Sequence, residues 1–120
     1  MDLVEISKKI YDKVCESEAI RGLIKERIKR SAKATAEYDK AIALAMVRLS
    51  SGERMKIDDV ETPEKITAST VKDYAKGVCF IECMEKETAE GLLKSALKNL
   101  DALGNELAAL ENINKVSKYG

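Results

Sequence analysis

Thiols, carboxylates and clustered bases are the groups in this chain whose spacing could do chemistry. Cys79 and Cys83 are four residues apart, which on a helix puts both thiols on one face and resembles half of a metal site. A structural zinc needs four ligands, and the chain offers only one further cysteine, Cys15, and no histidine. Asp58 and Asp59, with Glu61 and Glu64, form an acidic group with the right charge for a hard cation, but their spacing matches no recognised cation-binding loop. Glycine-rich phosphate loops, a nucleophile elbow and a Cys-His pairing are all missing from the sequence. The reading is a non-enzymatic protein with no catalytic residues, no metal and no cofactor. Three cysteines in such a chain argue against a disulfide framework and for reduced thiols.

The most conspicuous charge cluster is Arg21, Lys25, Arg27, Lys29, Arg30 and Lys33. Spacing of four puts Arg21, Lys25, Lys29 and Lys33 on one stripe of a helix, a footprint suited to a phosphate backbone. No aromatic interleaves it for base stacking. The competing reading pairs Lys33, Arg30 and Lys29 with Glu85, Glu87 and Glu90 of a second helix, as flanking charges do in coiled coils. Nucleic-acid binding by Arg21, Lys25, Lys29, Arg30 and Lys33 is therefore the alternative function, and protein docking the first.

The elements that must position these groups are helices. In 120 residues, 45% are hydrophobic, 35% charged and 4% aromatic, with one proline and six glycines, a composition suited to long helices rather than sheet. Apolar residues recur three and four apart from Leu3 to Leu49 and again from Ala75 to Leu110, so the periodicity predicts helices over 2–50 and 70–115. The first seam reads Leu3, Ile6, Ile10, Val14, then Ile20, Ile24 and Ile28, with a stutter or break at Glu16-Ser17-Glu18. Gly52 follows the last periodic leucine and stops the helix. Thr70, with Asp73 three residues on, starts the next. Between them the connector at 51–69 carries Thr62-Pro63, which reads as an N-cap and first helical position, predicting a helical turn near 63–67.

Matching helix lengths predict an all-α fold: one helical domain over 1–120, built as a long antiparallel, coiled-coil-like helical hairpin with a structured connector. If residue 50 sits near residue 70, partner numbers add to about 120, placing Ile10 by Leu110, Ile24 by Ala96 and Ile42 by Val78. Alanines at 32, 34, 36, 41, 43 and 45 predict close approach of the helices, with Gly77 packed against Tyr38, Ile42 or Ala43. Charge supports the pairing: residues 1–60 hold thirteen bases and eleven acids, and 61–120 hold eight and ten.

One seam does not use all the apolar side chains. Leu44 and Val47 on the first helix, with Phe80 and Met84 on the second, lie off it, and the connector adds Met55, Ile57, Val60 and Ile66, which either fold back as a cap over the apolar end of the hairpin or form a partner-recognition tip. Two helices have no second layer to cover these residues, so the expected partners are a second copy in an oligomeric bundle and a host or phage protein. The N-terminus lacks the basic and apolar regions of a secretory signal, and the longest uncharged apolar run, Ala41 to Val47, is far below the roughly 20 residues of a membrane span. The expectation is a cytoplasmic protein that does not engage membranes.

The run Ala36-Glu37-Tyr38-Asp39-Lys40-Ala41-Ile42-Ala43-Leu44-Ala45, then Leu49, a glycine-bearing connector and Thr70-Val71-Lys72-Asp73-Tyr74-Ala75-Lys76-Gly77, resembles a set of small uncharacterised phage and prophage proteins. In these a Tyr precedes an Ile-Ala-Leu-Ala type stretch, and an Asp-Leu-Ala-Arg/Lys-Gly type motif opens a second long helix. Leu97 to Ile113, with Glu106 and Leu110, is similar to their closing helix. The resemblance covers about residues 30–113, and its specific part is Asp73, Lys76 and Gly77. The connector here is longer and contains Pro63, and Tyr74 stands where an aliphatic residue is usual. The resemblance implies an accessory protein of a phage early region, encoded near replication or recombination functions, with no activity to carry over. If phage-encoded, its place is the host cytoplasm.

Overall fold

A computed structural model describes residues 2–119. The fold is all-α, with elements α1 (Leu3–Ser50), β1 (Lys56–Ile57), β2 (Val60–Glu61), α2 (Val71–Val78) and α3 (Phe80–Tyr119). Contacts divide the chain into two compact units: one of the residues up to Ile28 with those from Gly91 onward, the other of Lys29–Glu90.

Local chemistry sets both ends of α1. The Asp2 carboxylate accepts the Glu5 backbone N–H at 2.8 Å, satisfying one of the donors a helix start leaves free. At the far end Gly52 has φ +91°, while Glu53 N–H donates to Arg48 C=O and Gly52 N–H to Leu49 C=O, each at 3.1 Å. These are the paired bonds of a Schellman stop, and the left-handed residue they require is glycine. The Arg48 guanidinium then holds the Glu53 carboxylate with two bonds, 2.8 and 2.5 Å.

In the first unit the seam of α1 runs through Ile6, Ile10, Lys13, Ser17, Ile20, Ile24 and Arg27, alternating steps of four and three. Of the stutter or break read at Glu16-Ser17-Glu18, no break occurs: α1 is continuous, as the helix over 2–50 requires, and Ser17 is buried. Val14, given a seam place by its apolar character, is instead exposed. The heptad passes through polar residues because each finds a place: Lys13 Nζ reaches Glu106 at 2.7 Å, and Arg27 Nη1 donates to the Leu92 carbonyl at 2.6 Å. Both bonds join residues whose numbers add to 119, within one residue of the expected register. Facing them, Ala96 and Leu103 are buried and Leu93, Leu100, Leu107 and Leu110 half-buried, with the same alternation.

In the second unit the core is Ala45, Leu49, Val71, Ala75 and Cys79, flanked by Tyr38, Ile42, Met46, Met55, Ile66 and Tyr74. Ala34 and Ala45 are buried and Ala41 half-buried, whereas Ala32, Ala36 and Ala43 face solvent, so half of the alanine stretch serves close packing. Lys86 holds a half-buried seam position by standing over the Tyr38 ring, 5.0 Å from its centroid.

The connector departs from expectation. No helical turn forms at 63–67; residues 55–62 instead make an antiparallel β-ribbon pairing Lys56 with Glu61 and Ile57 with Val60. Its two-residue turn is Asp58-Asp59, with φ of +47° and +66°, the sign needed at both positions of the turn type that matches strand twist. Thr62, read as a helix cap, is 2% exposed and closes the ribbon: its N–H donates to Met55 C=O at 2.7 Å and its Oγ1 accepts Met55 N–H at 3.0 Å. The Arg54 Nε–H donates to the Thr62 carbonyl at 3.1 Å.

Thr70 does not cap α2 through its side chain either. Its Oγ1 bonds the Thr67 carbonyl at 3.2 Å and the Thr67 hydroxyl at 2.9 Å, and the Thr67 carbonyl also accepts the Thr70 and Val71 N–H groups. Asp73 does supply negative charge to the first turn of α2. The second long helix is interrupted for one residue, Cys79, which has ψ +30°; its N–H still donates to Ala75 C=O and its C=O accepts Cys83 N–H, each at 3.0 Å.

Candidate docking surface

The site is built where α1 and the start of α3 present side chains off the seam in the second unit. Leu44 and Val47 are three apart on α1, and Phe80, Ile81 and Met84 lie within one turn of each other on α3. All five are exposed, from 51% for Met84 to 69% for Ile81. Ala41, Leu44 and Ile81 line a groove of about 370 Å³ together with Glu37, Lys40, Glu82 and Glu85; Ala41 and the seam residue Glu82 are half-buried and the other five are exposed. Ile81 and Phe80 also line a second groove, of about 590 Å³, with Ile57, Gly77 and the Asp58-Asp59 turn. Because Ile81 belongs to both, the apolar surface is continuous from α1 to the β-ribbon.

Of the eight partner residues expected from sequence, Leu44, Val47, Val60, Phe80 and Met84 are exposed. The other three lie where a connector folded back over the helices would put them: Met55 and Ile66 pack against the core cluster, and Ile57 packs against Gly77 while still lining the second groove. Ile81 was missed, although its place between the seam residues Cys79 and Glu82 already set it off the core face.

Gly77 explains how the ribbon reaches α2. A Cβ at this position would lie 2.7 Å from Ile57 Cδ1, so the absent side chain is what lets Ile57 lie against the helix. The expected partners of Gly77 were Tyr38, Ile42 or Ala43, and the close neighbour is instead a β-strand side chain. Within the motif, Asp73 and Lys76 are exposed and Gly77 half-buried.

The basic residues Arg21 and Lys25 are exposed in the first unit, and Lys29, Arg30 and Lys33 in the second. The cross-helix pairs of Lys33 with Glu85 and Arg30 with Glu87 do not form among the described residues. Lys33 pairs at 3.9 Å with Glu37, one turn along its own helix, although Glu85 borders the same groove. Glu87 instead accepts the Cys83 thiol at 3.8 Å. A cross-helix ion pair does form in the first unit, where Glu106 is in reach of Lys13.

Cys79 is buried, and burial, then the Glu82 charge, pushes its thiol above the usual range. That holds it as the neutral thiol, a packing group rather than a nucleophile. Burial, followed by the neighbouring Cys83, likewise raises the Tyr38 phenol. Among the described residues no three metal-ligating side chains converge, at the Asp58-Asp59 turn or elsewhere, and no helix is long and apolar enough to cross a membrane. No family model matches the chain, and neither a curated protein nor a solved structure matches it significantly.

Proposed function

We propose that this chain is a non-enzymatic accessory protein of phage or prophage type, a helical interaction module that works by docking a host or phage protein. The observation that carries the reading is the exposed apolar surface that runs from Leu44 through Ile81 to Phe80, with Val47 and Met84 also exposed on the same two helices. Exposed apolar surface of this kind, edged by charged residues, marks sites of protein association. The tagged wild-type chain, incubated with extract of its native host, is expected to retain a discrete protein that Ile81→Asp fails to retain while keeping its helical circular dichroism. Identical retention by both forms would sink the proposal.

A second reading, a nucleic-acid-binding accessory of replication or recombination, is favoured by one observation: Arg30 makes no ion pair among the described residues, although acidic residues were expected beside it. A mobility-shift titration across salt tests it. That reading requires binding at low salt which weakens as salt rises and is lost in Arg30→Glu/Lys33→Glu.

A further inference from the structure

Resting on the docking reading above, we infer that the occupant of the groove between α1 and α3 is an amphipathic helix of another protein, with lysine or arginine flanking its apolar stripe. The shape is that of a groove between two helical segments presenting residues at steps of three and four: Ala41 and Glu82 lie half-buried, and Leu44 on α1 and Ile81 on α3 stand exposed on either side to meet an apolar stripe. Charge selects the partner. The two grooves that share Ile81 are edged by five carboxylates, Glu37, Glu82, Glu85, Asp58 and Asp59, against the two ammonium groups of Lys40 and Lys56. Apart from the Glu37–Lys33 contact at 3.9 Å, no ion pair engages these five groups among the described residues.

The same charges disfavour a second copy. A two-fold contact sets the same patch against itself, so it would bring two net-acidic surfaces together. Area points the same way. Leu44, Phe80 and Ile81, the exposed large apolar residues that line the grooves, cover far less than the ~800 Å² per partner of a standard protein interface. Complementary charge at the edges raises the encounter rate and rejects wrong partners, and both effects weaken as salt rises.

The test uses the full chain and two fluorescein-labelled peptides of about five helical turns with identical leucine stripes. One carries lysine on its polar face and the other glutamate, and binding is read by fluorescence anisotropy. The lysine peptide is expected to bind about tenfold or more tightly than the glutamate peptide, and less tightly at higher salt. Glu37→Lys/Glu85→Lys is expected to reverse the preference, and Ile81→Asp and Leu44→Asp each to weaken the lysine peptide about tenfold with circular dichroism unchanged. Equal binding of the two peptides, or no binding of either, overturns the inference about charge. Sensitivity to Ile81→Asp without sensitivity to the edge reversal overturns it too, and leaves the docking face standing. A dimer in sedimentation velocity that Ile81→Asp dissolves assigns the surface to a second copy, and overturns the inference as well.

Discussion

The two units hold their helices together by different means. In the first, the seam admits Lys13, Ser17 and Arg27, and the charged pair are satisfied at 2.7 and 2.6 Å by groups on α3. In the second, small side chains on α1 and α2 close the seam, and a β-ribbon is fastened to α2 through Ile57 at Gly77 and closed by Thr62. Polar seam residues with reachable partners cost little and mark register, whereas a glycine filled by a distant side chain ties the connector to the helix with no tolerance for volume. Substitutions should therefore be felt much more in the second unit.

The largest effect is expected at Gly77. Gly77→Leu fills the space Ile57 occupies and should lower stability by about 2–3 kcal/mol, the range for overpacking a tight contact, measured by urea unfolding. Gly77→Ala meets mainly the Cδ1 end of Ile57, so combining it with Ile57→Val should restore most of what is lost and keep the helical gain of alanine. If Gly77→Leu is neutral, the ribbon is not fastened there. Thr62→Val comes next: it keeps the volume but leaves the Met55 N–H without its acceptor, for a loss of about 1–3 kcal/mol, while Thr62→Ser retains the bond and should lose less.

In the first unit, Arg27→Met removes one bond to a carbonyl and should lower stability by only about 0.5–1.5 kcal/mol. A loss as large as that of Gly77→Leu would erase the contrast between the units. The smallest effects are pH-dependent. The Arg48 bond holds the Glu53 carboxyl below its ordinary value, so its stabilisation is present above the usual carboxylate range, near pH 4.3, and fades as pH falls through the lowered folded value. The Glu106 bond raises Lys13, so its contribution is complete below the ordinary lysine value, near 10.4, and fades as pH rises through the raised one. Both pairs are exposed enough that only small shifts in Tm are expected. Glu53→Gln should differ from the wild type at neutral pH and converge with it in acid. Lys13→Met should converge only in strong alkali.

Much of the helical frame was legible in the residues. Ile6, Ile24, Ala45 and Leu49 on one helix, and Ala75, Ala89, Ala96 and Leu103 on the others, occupy the seam that apolar periodicity marks, and Gly52 stops α1 where a glycine follows the last periodic leucine. The passage through Ser17 was not legible, because an apolar pattern is blind to polar residues whose partners lie on another helix. The connector misled for a local reason: Thr-Pro is a good helix opening, and Asp-Asp is a weaker turn signal than Asn-Gly or Asp-Gly. Of the surface, the residues off the seam on α1 and α3 were readable from spacing, while for Met55, Ile57 and Ile66 the sequence left a cap and a recognition tip both open, since an apolar connector residue reads alike whether it faces solvent or core.

The sequence by itself thus determined the all-α class, the end of α1 at Gly52 and, to within one residue, the register of α1 against α3 in the first unit. Periodicity and capping are decided within a few residues, where backbone geometry leaves few alternatives. Only the tertiary structure decided that Thr62 is buried, that Ile57 fills the space at Gly77, and that Ile81 joins two grooves. These depend on where the β-ribbon comes to rest on α2, and that is settled by the fit of side chains about twenty residues apart in the chain, which no local pattern encodes.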